Sequence, residues 1–177
     1  MDRYAAGDDE AFAELYDLLA PRLHNYLRRQ TRDAGRAEDL LHETMLQIHR
    51  NRGRFIRGAE VTPWAFAIAR RFLIDSIRAE ERRRRIATGV AAQPAPMPPL
   101  TDELVESARA ALRLEAEIAR LPDKQRTAYE MVRKDGLSLR EAAQVLGTSI
   151  NAVKLRIHRT YAKLHSAMSG VTEDDDD

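Results

Sequence analysis

Gly136-Leu137-Ser138-Leu139-Arg140-Glu141-Ala142-Ala143-Gln144-Val145-Leu146-Gly147-Thr148-Ser149 is the stretch whose reading decides how this chain folds. Ser138 and Glu141 stand at the spacing of a capping box, in which the serine hydroxyl and the glutamate carboxylate each satisfy an orphan backbone N–H at a helix start. They open a short helix over 139–146. Gly147 stops it, because glycine takes a positive φ at a helix C-terminus with little cost. Ser149 is placed to cap the helix that follows, and Gly136 fits the end of the helix upstream. Two helices joined by so tight a glycine turn predict a helix-turn-helix.

The longer helix after Ser149 supports this reading. At about 100° per residue, Ile150, Val153, Ile157, Leu164 and Met168 form one apolar stripe. Asn151, Leu155, His158 and Arg159 point the opposite way, with Lys154 and Arg156 on the flanks. An amide, a histidine and several cations on the outer face of a long helix suit the major groove of DNA. Phosphate contacts are expected from Lys154, Arg156 and Arg159, with Arg140 joining from the preceding helix. Any one of these cations is equally well explained as solvating an amphipathic helix. Together with the glycine turn and both caps, the set points to DNA. Leu155 keeps two readings, a contact to a thymine methyl or a plain surface leucine.

Working outward, the rest of the chain is also helical in pattern, and sustained period-two alternation is missing. Phe12, Leu15, Tyr16, Leu19, Leu23, Tyr26 and Leu27 follow helical spacing, with Pro21 expected to kink the run or start a fresh turn. A second helix is expected from about Glu38 to about Asn51, with Leu41, Met45 and Ile48 on its stripe. A third is expected to start at Thr62 as N-cap and Pro63 as first helical residue, burying Phe66, Ala69, Leu73 and Ile77. From Ile86 the chain turns to alanine and proline without period, and helical pattern resumes at Thr101. The expected organisation is therefore all-α: a domain over 1–85, a flexible Pro/Ala-rich linker over 86–107, a helix-turn-helix domain over 108–170 and an acidic tail over 171–177, the alternative being one helical bundle with a long loop. A linker of roughly 15–20 residues at about 3.3 Å each reaches at most about 50–65 Å. That spans one to two turns of duplex at about 34 Å each.

Composition bounds the function. Hydrophobic residues make up 44% and charged residues 32%, enough for small cores only. There are 0 cysteines, so no disulfide framework and no thiolate zinc site, which suits a reducing cytosol. No apolar run approaches the ~20 residues of a membrane helix, and the N-terminus lacks the apolar core of a signal peptide. The net charge of +1 hides its distribution: residues 173–177 are all acidic, and without those five the charge is +6. That tail reads as a solubility device or as a competitor for the basic surfaces.

Two blocks in this order carry a family resemblance. The first is Ala37-Glu38-Asp39-Leu40-Leu41-His42-Glu43-Thr44-Met45, then Phe55, Gly58 and Pro63-Trp64-Ala65-Phe66-Ala67-Ile68-Ala69-Arg70-Arg71. The second is Leu121-Pro122-Asp123-Lys124-Gln125-Arg126, the 136–143 segment and Ala152-Val153-Lys154-Leu155-Arg156-Ile157-His158-Arg159. Together they resemble the two conserved domains of extracytoplasmic-function (group IV) sigma factors. The resemblance implies a subunit that binds core RNA polymerase and directs it to promoter DNA, in the cytoplasm, under an anti-sigma factor. It implies polymerase docking through Asp39, Leu40, Glu43 and Met45. Asp39 and Glu43 repel each other at i, i+4 by about 0.2–0.5 kcal/mol in an isolated helix, a repulsion that a basic partner would remove. It implies −10 element capture by Phe55, Trp64, Arg70, Arg71, Arg78 and Arg82, and −35 recognition by Arg140, Ser149, Asn151, Lys154, Leu155, Arg156, His158 and Arg159. On their own residues, Arg71, Arg78 and Arg82 share one helical face able to track phosphates. Trp64 and Phe55 each read either as core or as a platform for an unstacked base. The chain departs from the family in having Arg71 where asparagine is usual, Leu155 where serine is usual and Val61 where an aromatic is frequent. Those departures bear on promoter sequence, not on fold.

Rival readings make different demands. A helix-turn-helix regulator acting without polymerase explains the C-terminal half but neither the arginine-striped helix nor the acidic one. A sigma-factor mimic that sequesters an inhibitor would have lost the DNA-facing cations. Catalysis is not expected: the Glu-x-x-His pairs of a helical di-iron site, a Walker loop, Gly-x-Gly-x-x-Gly and Gly-x-Ser-x-Gly are all missing. No cofactor or metal is expected, His42 and His49 on one helix making too thin a ligand set.

Overall fold

The computed structural model describes residues 1–86 and 102–169; the expected linker core and the acidic tail lie outside them. Among the described residues there are eight α-helices and one 3-10 turn and no strand. The N-terminal half holds α1 (Asp2–Ala5), α2 (Ala11–Thr31), α3 (Ala34–Arg50), the 3-10 turn Arg52–Arg54 and α4 (Val61–Ile86). The C-terminal half holds α5 (Asp102–Arg120), α6 (Asp123–Arg133), α7 (Leu139–Leu146) and α8 (Ile150–Ser169). The fold is all-α, with two small helical domains, and helix is already present over residues 102–107, which the sequence pattern assigns to the linker.

The long helices bury most of the stripes their periods predict, but Tyr16 and Ile77, expected in them, are 42% and 39% exposed. Leu15, Leu19, Leu23, Tyr26 and Leu27 of α2 meet Ala37, Leu40, Met45 and Ile48 of α3 and Ala65, Phe66, Ala69 and Leu73 of α4 in one core. Three expectations about helix ends and breaks also need correcting. α2 continues through Pro21 without a fresh start, with the proline on its exposed side. α3 starts at Ala34, not near Glu38, because the Asp33 carboxylate caps it by accepting the N–H of Arg36 at 3.1 Å. α4 begins at Val61, so Thr62 is inside the helix; its hydroxyl accepts from Nη1 of Arg22 at 3.5 Å instead of capping.

The helix-turn-helix forms as its turn chemistry dictates. Ser138 Oγ accepts the N–H of Glu141 at 3.2 Å, and the Glu141 carboxylate accepts the N–H of Ser138 at 2.7 Å. Gly136 and Gly147 take φ of +69° and +59°, in the left-handed region that other residues enter only with strain. Both turns are thereby closed without a long loop.

The two halves pack on each other. α4 lies against α7, and the core cluster runs unbroken from α2, α3 and α4 into α6, α7 and α8. A polar clasp sits beside it. Arg22 of α2 donates from Nε and Nη2 to the carbonyl of Asp135, at 3.3 and 2.9 Å. Arg29 pairs with the Asp135 carboxylate, and Gln30 Nε2 donates to Oε2 of Glu130 at 2.5 Å. The Asp135 side chain is 1% exposed, and one carboxylate oxygen has no partner. Burial pushes its carboxyl up to about 6, more than the opposing pull of Arg29 and Arg22 can offset, with Glu130 adding to the rise. A carboxyl raised in the folded state favours folding most when neutral. Its contribution is therefore full below the ordinary carboxylate range and is lost as pH rises through about 6. The stability difference between wild type and Asp135→Asn should accordingly move in favour of the wild type as pH falls from about 7.5 to about 5, measured by urea unfolding at each pH.

Candidate nucleic-acid interface

α8 is held from behind and presents its cations in front. Val153, Ile157, Thr160 and Leu164 are buried, the Thr160 hydroxyl bonding back to the carbonyl of Arg156 at 3.0 Å. Ile150, expected in that stripe, is instead 39% exposed, because the first turn of α8 runs past the edge of the core. Met168 lies outside the residues whose side chains are described. Asn151, Lys154, Leu155, His158 and Arg159 are exposed and Arg156 is half-buried, one continuous face as the helical period requires. Ser149 accepts the N–H of Ala152 at 3.2 Å, so this hydroxyl is the cap of α8.

Arg140, on α7, is separated from that face. It shares with Gln144 a cavity of about 510 Å³ whose other wall is Gly58, Ala59, Glu60, Pro63, Trp64 and Ala67. Arg140 is exposed and lines this cavity opposite the N-terminal half.

The second surface is built by α3, the loop 51–60 and α4. A cavity of about 460 Å³ is lined by Gln47, Asn51, Arg54, Trp64, Ile68, Arg71, Phe72 and Asp75. Both readings of Trp64 are partly met: it is half-buried, yet one side of it forms the cavity wall. Phe55 is buried at 8% exposure and meets Trp64 edge-on with centroids 5.2 Å apart, so it backs the wall and has no free face for a base. Arg71, Arg78 and Arg82 are exposed, whereas Arg70 is half-buried near Tyr26, off their face. Gln47, Asn51 and Arg54 were missed by sequence reasoning. Their only signal is position, at the end of one helix and in the turn after it.

The third surface is the acidic side of α3. Asp39 and Glu43 are exposed, but Leu40 and Met45 are each 5% exposed and belong to the core. The correction is geometric: residues one and two positions from Asp39 and Glu43 turn inward. Leu46, one turn beyond Glu43, is the exposed apolar neighbour, at 45%. Between α3 and α4 a groove of about 610 Å³ includes Arg36, Asp39, Glu43, Asp75 and Glu80. Among the described residues no group of three His, Cys, Asp or Glu side chains could hold a metal ion, and no helix is long and apolar enough to cross a membrane.

Comparison with known proteins gives these surfaces a family. Residues 15–83 match the Sigma-70 region 2 family and residues 111–164 match Sigma-70, region 4. The RNA polymerase sigma factor CarQ of Myxococcus xanthus is 34% identical over 174 residues, covering 95% of each chain. The ECF RNA polymerase sigma factor SigF of Caulobacter vibrioides is 37% identical over 172 residues, covering 95% of this chain and 91% of its own. The chain belongs to the ECF sigma factors. The sigma factor RpoE from Bartonella quintana, solved in complex with the anti-sigma factor NepR, shares the fold with a TM-score of 0.72 at 21% identity, over 90% of this chain and 98% of its own. All three candidate faces of this sigma factor lie within the two matched segments. Ser149→Ala is expected to destabilise the protein by about 1 kcal/mol through loss of the α8 cap, and Ser149→Asp to restore most of it; urea unfolding at constant pH reads both.

Proposed function

We propose that this sigma factor divides promoter recognition between its two matched segments. The −35 element is read by Asn151, Lys154, His158 and Arg159 of α8, with Ser149 organising the helix start. The −10 element is taken by the Trp64 cavity and the arginines 71, 78 and 82. Core polymerase is gripped by Asp39 and Glu43 of α3, with Leu46 as the apolar contact in place of Leu40 and Met45. The observation that carries this reading is that each face is exposed and chemically distinct: cationic helix, aromatic and arginine cavity, acidic edge. Cations position phosphates, a cavity beside an aromatic ring suits an unstacked base, and an acidic edge suits a basic partner.

The role is that of a specificity subunit, not a catalyst, working in the cytoplasm where core polymerase is. The domain limits that serve it are 1–85 and 108–170, with the linker between them setting the reach. An anti-sigma factor is the natural regulator, in keeping with the RpoE relative. The packed halves, with Arg140 and Trp64 lining one cavity between α7 and α4, are an arrangement such a regulator could hold.

Two paired variants separate the roles. Lys154→Ala with Arg159→Ala should abolish −35 binding and leave core polymerase binding intact. Asp39→Arg with Glu43→Arg should do the reverse. Gel-shift on a −35 fragment and pull-down with core polymerase measure the two, and loss of both activities in both folded variants would sink the division of labour.

A further inference from the structure

The first helix lies outside the segments matched to the family, which begin at residue 15, and no candidate site residue read from the sequence comes from it. Its side chains are nevertheless committed to fixed contacts. The Asp2 carboxylate accepts the backbone N–H of Gly58 through both oxygens, at 3.1 and 3.3 Å. Gly58 has φ +75°, so this N–H is set by a backbone conformation that glycine adopts most readily. Tyr4 is 1% exposed; its hydroxyl bonds to Nδ1 of His49, and the Arg52 guanidinium lies 5.6 Å above its ring. Arg3 turns the other way and pairs with Asp8 at 2.8 Å and Glu14 at 2.9 Å, fastening α1 to α2.

α1 is therefore a brace between the first long helix and the loop 51–60. That loop supplies Asn51 and Arg54 to the rim of the Trp64 cavity, and Phe55 to the packing behind it. It also contains Gly53 and Gly58, residues that lose the most backbone freedom on ordering. A loop already held does not have to be ordered when a strand arrives.

Resting on the reading of this cavity as the −10 surface, we propose that Asp2 and Tyr4 are positioning residues for promoter capture: they fix Gly58, His49 and Arg52 so that Asn51 and Arg54 stay in register with Trp64 and Arg71. Neither side chain needs to touch DNA. The prediction is a defect in −10 handling without a defect in docking.

The test uses the full chain bound to core RNA polymerase on a promoter fragment it transcribes. Asp2→Ala, Asp2→Asn, Tyr4→Phe and Arg71→Ala are compared with wild type. Core binding, the thermal midpoint, permanganate reactivity of unpaired −10 thymines and transcript yield across −10 variants are read together. Asp2→Ala and Tyr4→Phe should each lower −10 opening about tenfold, the effect of losing one anchoring hydrogen bond, and flatten the preference among −10 variants. Core binding and midpoint should hold, and Asp2→Asn, which keeps an acceptor oxygen, should recover most of the loss. If Arg71→Ala loses opening while the Asp2 and Tyr4 variants keep it, the brace is refuted and the −10 surface stands. If Arg71→Ala also changes nothing, the −10 reading has failed and the brace falls with it. A fall in core binding or midpoint that tracks the loss of opening would reduce α1 to a general structural part and overturn the proposal.

Discussion

Asp135 stays buried only because the other half of the protein reaches over to it. Its carbonyl is taken by Arg22 and its carboxylate by Arg29, and the same Arg22 reaches the hydroxyl of Thr62 on α4 and lies over the ring of Phe66. One arginine thus joins α2, α4 and the turn that enters the helix-turn-helix. Removing it would leave the Asp135 carbonyl and the Thr62 hydroxyl without this partner at a largely buried seam, where a lost partner costs more than the bond contributes. The apolar core that surrounds the clasp has the same logic. Bundles of this size bury a modest fraction of their surface alone, and here the buried cluster passes from one half into the other.

Much of this was legible in the residues. The capping box at Ser138 and Glu141, the glycine turn and the Ser149 cap are local chemistry, and local chemistry survives folding. The helical stripes were legible for the same reason, since a period of 3.6 decides which side chains turn inward. Where the reading went wrong, distant packing had intervened. α2 runs on through Pro21, which sits on its exposed side, and Ile150 is exposed because α8 extends past what it packs on. Asp33 was passed over as a cap although its residue type announces it.

The candidate faces divide in the same way. The outward set on α8 follows from angle alone and is found as expected. As docking residues, Leu40 and Met45 came with the family resemblance, whereas the period had already placed Met45 on the inward stripe. The cavity beside Trp64 depends on three elements meeting, and no spacing in the chain foretells Gln47 beside Asp75. The clasp joins residues a hundred or more positions apart and left no mark in the sequence beyond an ordinary aspartate before a glycine.

The packing of α4 on α7 has one more side to it. The residues these helices bury mix small and large: Ala65 and Ala69 beside Phe66 and Leu73 on one, Ala142 and Ala143 beside Val145 on the other. Small side chains let two backbones lie close, while each hides little apolar area from water, and apolar stabilisation scales with area at about 25 cal/mol per Å². Here the alanines let the helices approach, and the larger side chains beside them carry most of the buried apolar area. Once parted, the two halves would uncover apolar side chains that the shared cluster now hides from water.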